Sequence, residues 1–109
     1  MWGPDSARLV LVFAWTTALV VGAARSEAAN LSYGEYLASE CVTCHQLSGA
    51  SAGIPPITGM ELGAFVAAFT AYKTRTRENV TMQTLASRYT AEDILALGTY
   101  FASIKPHKE

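Results

Sequence analysis

A chain of 109 residues with a formal net charge of −1 has room for one small domain, and it lacks the excess of Lys and Arg that a nucleic-acid binder carries. Half of its residues are hydrophobic, a share inflated by the N-terminus, and it contains only two cysteines and two histidines.

Leu9 to Ala24 is a run of 16 residues without a charge. Arg8 and the N-terminal amine supply a positive flank, and small residues follow. The run falls short of the roughly 20 residues a spanning helix needs, so the pattern is that of a cleaved export signal. Ser26-Glu27-Ala28 puts small residues at both recognition positions, which predicts a signal peptide over 1–28 and a folded domain over 29–109. Ala24-Arg25-Ser26 is a second cleavage pattern, and an uncleaved run would serve as an anchor. The mature form is expected not to span the membrane. A domain this short usually needs a disulfide, a metal or another staple to complete its core.

Ser32 and Glu35 form a capping-box pattern, and Tyr33, Tyr36 and Leu37 recur at helical spacing, so a helix is expected from about residue 32 into the cysteine pair. The stretch 46–56, dense in Gly, Ser and Pro, reads as a loop. Thr58 and Glu61 form a second capping-box pattern, opening a helix to about Tyr72 with Leu62, Phe65, Val66 and Phe69 as its apolar stripe. Residues 73–79 are polar, and 78–82 read as irregular chain. Thr90 and Asp93 begin a last helix with Ile94, Leu95, Leu97 and Phe101 on its buried side, ended by Pro106.

Cys41-Val42-Thr43-Cys44-His45 carries the chemistry. A disulfide across so short a loop would add little stability. A thioredoxin-like pair calls for a βαβ setting, whereas these flanks are helical. Zinc needs four ligands and the only other histidine is His107, while iron–sulfur clusters usually need four cysteines. Attachment of c-type haem accounts for every residue: Cys41 and Cys44 each form a thioether to one porphyrin, and His45 binds its iron. One covalent haem would also give the short chain an apolar group to fold around.

For the second axial position the mature chain offers Met60 and Met82. Met60 falls in the first turn of the second helix and is expected to pack into the core or face solvent. Met82, in a stretch able to cross to the far face of the haem, is the expected ligand, against the reading that it merely fills the core. His107 is a second candidate, in a terminal tail expected to fray. Lys73, Arg75 and Arg77 could face haem carboxylates or an acidic partner, or form a solvated loop.

In this order the elements resemble the small class I cytochromes c over nearly all of 29–109. The matching features are Gly34 and Tyr36 in the first helix, the Cys41 to His45 site, the loop ending in Ile54-Pro55-Pro56-Ile57, the downstream methionine, and Tyr100-Phe101 in the last helix. The resemblance implies an all-α class I cytochrome c fold, with about three main helices wrapped around one covalent haem. It implies that the Pro55 carbonyl accepts a hydrogen bond from Nδ1 of His45, and that the first and last helices cross at Gly34 against Tyr100 or Phe101.

The stretches Ile54–Met60 and Met82–Thr90 look, more narrowly, like the cytochrome subunit of flavocytochrome c sulfide dehydrogenase. That likeness favours Met82 as ligand and implies an electron-transfer protein that does no bond chemistry on sulfide itself, while the haem site behind an export signal points to the periplasm. A separate flavin subunit would oxidise sulfide and pass electrons to this haem. A free-standing carrier, a subunit of another periplasmic dehydrogenase, a haem sensor or peroxidase with an open distal site, and a small thiol oxidoreductase stay as alternatives.

Overall fold

The computed structural model describes residues 27, 30–49 and 53–105. The charge-free run at 9–24, the expected cleavage region apart from Glu27, and the tail holding Pro106 and His107 lie outside the described residues. Among the described residues the chain is all-helical, with four helices and no strand: α1 (30–38), α2 (Leu62–Lys73), α3 (Val80–Ala86) and α4 (Ala91–Ser103). None of these helices is long and apolar enough to cross a membrane.

The first helix begins earlier than Ser32, since residues 30 and 31 are already helical and Ser32 lies inside it. The Ser-x-x-Glu pattern is a local signal, and the good helix formers Ala28 and Ala29 just upstream give the chain no reason to start there. Its inner face is Gly34, Leu37 and Ala38, a helical repeat that Cys41 continues past its end, whereas Tyr33 and Tyr36 point outward. Gly34 and Ala38 are buried. A Cβ built on Gly34 would collide with the Ala96 carbonyl oxygen of α4 and come within 2.8 Å of Tyr100 Cβ. A side chain is therefore missing where α1 and α4 cross. Beside that crossing, the Tyr33 hydroxyl donates to Asp93 Oδ1 at 2.7 Å.

Helix α2 starts later than its apparent capping box. Gly59 adopts φ 73°, which turns the chain at 58–60, and its N–H donates to the Phe101 carbonyl at 2.9 Å. Thr58 is buried rather than capping, and Glu61 takes the cap, its carboxylate accepting from the N–H groups of Gly63 and Ala64 at 2.9 and 2.8 Å. Those two bonds hold the Glu61 carboxyl below its usual range. Helix α2 packs against both α3 and α4.

Helix α3 begins inside the stretch 78–82, where the sequence pattern predicts irregular chain. Its seven residues include the β-branched Val80, Thr81 and Thr84, a poor intrinsic helix. Asn79 makes it viable, its side chain accepting from Met82 N–H at 3.0 Å.

Helix α4 opens on the expected capping box, with Thr90 and Asp93 each bonding the other's backbone N–H at 3.1 and 2.8 Å. Ile94, Ala96, Leu97, Gly98 and Phe101 are buried, but Leu95 is exposed because it sits about 100° round the helix from Ile94. The helix ends at Ser103, before Pro106, where Ile104 turns extended. Phe101 is fully buried, stacked on Phe65 at 5.8 Å between ring centres; Phe65 stacks on Phe69 at 5.6 Å, and Phe69 meets Tyr89 edge-on at 5.6 Å. Such ring pairs add about 0.5–1.5 kcal/mol each beyond their burial, so this ladder locks α2 to α4 and to the α3–α4 connection.

Candidate cofactor site

Beyond residue 38 the backbone keeps turning in helical fashion: Cys41 and Val42 N–H groups donate to the Ala38 carbonyl at 2.9 and 3.1 Å, and His45 N–H donates to the Cys41 carbonyl at 2.8 Å. This extra turn brings Cys41, Cys44 and His45 round to one cavity. Cys41 is half-buried against the core and Cys44 exposed, both as free thiols.

Burial, then the neighbouring Glu40 charge, push the Cys41 thiol up to about 11. It also follows the C-terminal end of α1, where the helix dipole opposes a thiolate. Reactive redox cysteines need the opposite setting, a helix N-terminus or a nearby cation that lowers the pKa. Among the described residues no group of three His, Cys, Asp or Glu side chains converges as a metal-binding cluster.

His45 Nδ1 lies 2.7 Å from the Pro55 carbonyl oxygen. A carbonyl only accepts, so Nδ1 carries the proton, and in the neutral ring Nε2 is left with a free lone pair. The bond fixes the ring's orientation.

These groups face a cavity of about 720 Å³, within the size range of cofactor sites. Cys41, Cys44, His45, Pro55 and Met82, the five site residues expected from sequence, all line it. Met82 reaches it from the first turn of α3, positioned by the Asn79 cap rather than by an irregular crossing loop. Met60 lines the same cavity, half-buried and packed against the core.

Apolar walls come from Ile57, Phe65 and Phe69 on one part and Leu85 and Tyr89 on another. Sequence reasoning read Phe65 and Phe69 only as core. Their position four apart on a helix following the cysteine motif was the available signal. Glu40 and Tyr89 were missed as cavity residues. The Tyr89 hydroxyl donates to Glu40 Oε2 at 3.1 Å; burial, then the Cys41 charge, push its pKa up to about 12. Arg88 lies 3.9 Å from the same Glu40 oxygen.

A large cavity with apolar walls, two thiols at its edge and an oriented imidazole and two thioethers, of Met60 and Met82, lining it is a donor set that fits a covalently held haem. No protein-family model matches the chain, and comparison with curated proteins finds no match.

Proposed function

We propose that this chain is a c-type cytochrome of the class I fold that transfers single electrons. The observation that carries the reading is one cavity faced by Cys41, Cys44, His45 and Met82, with His45 already oriented through the Pro55 carbonyl. Cys41 and Cys44 would hold one haem c through thioethers, with His45 Nε2 and the Met82 sulfur as iron ligands. Bound there, the haem supplies one-electron chemistry, its iron alternating between the ferrous and ferric states.

The residues of the chain do the rest. The Pro55 carbonyl holds the His45 proton at Nδ1 and keeps Nε2 presented to the metal. Met82, a soft neutral ligand, favours the reduced iron and raises the potential. The walls of Ile57, Phe65, Phe69 and Leu85 exclude water and keep the local dielectric low, which favours the less charged state.

The thiol oxidoreductase reading loses ground because the Cys41 thiol is raised rather than lowered. The likeness to the cytochrome subunit of flavocytochrome c sulfide dehydrogenase extends the proposal to a periplasmic role, in which a flavin-containing partner subunit supplies the electrons. Co-purification of a flavoprotein from the native periplasm tests that extension.

Ligation is tested on the full chain made with a haem-attachment system. The ferric protein should show the far-red absorption band of methionine-ligated haem, and the reduced protein should resist carbon monoxide. M82A should lose the band and bind carbon monoxide readily. If M60A, and not M82A, has that effect, the assignment of Met82 is wrong. A wild-type protein that binds carbon monoxide readily would instead be a sensor or a peroxidase.

A further inference from the structure

Three cations lie close together in and after the last turn of α2, and the structure gives them different tasks. The Lys73 ammonium donates to the Tyr89 carbonyl. Arg75, in a left-handed conformation at φ 62°, places Nη1 3.4 Å from Gln83 Oε1. Neither faces the cavity. Arg77 does, with its guanidinium 4.9 Å over the ring of Tyr72, which also lines the cavity.

Arg77 is the one Lys or Arg side chain among the described residues lining this cavity, and no carboxylate of the described residues lies within ion-pair distance of it. Among the described residues the only acidic one lining it, Glu40, is engaged by the Tyr89 hydroxyl and lies near Arg88. The backbone carrying Arg77 is tied down on both sides. Its N–H donates to the Ala71 carbonyl at 3.2 Å, and its carbonyl accepts from Gln83 Nε2 at 2.9 Å. Gln83 follows Met82 directly on α3, so the segment holding the guanidinium is braced against the helix holding the thioether.

A haem attached through its vinyl groups carries two carboxylates on the opposite edge. A planar guanidinium over an aromatic ring, whose fork of donors has no partner among the described residues, is the group suited to a carboxylate. We propose that Arg77 binds the carboxylate edge of the haem and so fixes its orientation in the cavity, an inference that rests on the haem reading above.

The test compares holo-R77Q with holo-R75Q, which removes the same charge from the same segment but outside the cavity. The midpoint potential of R77Q should fall well below wild type, because losing a cation beside the porphyrin favours the ferric state, while R75Q should stay close to wild type. Equal potentials in the two variants would overturn the proposal. In reduced wild-type protein, nuclear Overhauser contacts should join the Arg77 side chain to the methylene protons next to the haem carboxylates. Their absence would overturn the proposal even if R77Q failed to fold. A wild-type chain that never acquires haem would remove both this inference and the reading beneath it.

Discussion

Gly34→Ala tests the crossing of α1 and α4. The added methyl group would press on the Ala96 carbonyl oxygen and approach Tyr100 Cβ to 2.8 Å and the Ala96 carbonyl carbon to 2.9 Å. Two of these three atoms belong to backbone, so no rotamer change relieves the contact and α1 must lift away from α4. Overpacking of this kind costs about 1–3 kcal/mol, and the upper end applies because the obstacle is a helix backbone. Alanine's better helix propensity returns about 1 kcal/mol. The net loss is about 2 kcal/mol, which lowers Tm by about 8–16 °C for a domain of this size. Thermal unfolding followed by circular dichroism measures it, with Gly63→Ala as the control. At Gly63 the added methyl meets only the Glu61 carboxylate, at 3.2 and 3.3 Å from its oxygens, a flexible group able to move. G63A should therefore stay within about 1 kcal/mol of wild type. If G34A and G63A melt together, the close approach of the two helices is not what Gly34 provides.

Three further outcomes follow from the same geometry. Asn79→Ala removes the cap of α3 and should cost about 1 kcal/mol; because that helix carries Met82, the far-red band of the ferric protein should weaken at temperatures well below global unfolding. The Tyr33 hydroxyl, then the Thr90 N–H, hold the Asp93 carboxyl below its ordinary range, so its stabilising contribution is fully present above about pH 4 and is lost as the pH falls through the lowered value. D93N should accordingly be less stable than wild type at neutral pH, the difference closing in acid when urea midpoints are compared across pH. Arg75→Gly relieves the left-handed backbone at the end of α2 and should stabilise the chain by about 1 kcal/mol in the same urea assay.

Much of the fold was readable from local signals whose physics is short-ranged. The Thr90–Asp93 capping box and the Ile94, Leu97, Phe101 repeat defined α4, and the Phe65–Phe69 pair defined the inner face of α2. The misreadings occurred where tertiary contacts decide between local options. Thr58 looked like a cap, but the Gly59 turn and its bond to the Phe101 carbonyl left Glu61 to start the helix. Helix α3 was hidden by β-branched residues and exists through its Asn79 cap and its packing on α2.

The site shows the same division. The cysteine–histidine cluster is contiguous in sequence and could be read directly, whereas the inward placement of Met60, Tyr89 and Arg77 depends on how distant segments close round one cavity. No spacing rule on the chain reports that.

A covalent bond between this chain and a haem would show in the intact mass of the full chain produced in cells with a haem-attachment system. The expected product is a single species heavier than its polypeptide by one haem, with neither Cys41 nor Cys44 open to alkylation after denaturation. A product at the polypeptide mass, with both thiols alkylated, would contradict that bond.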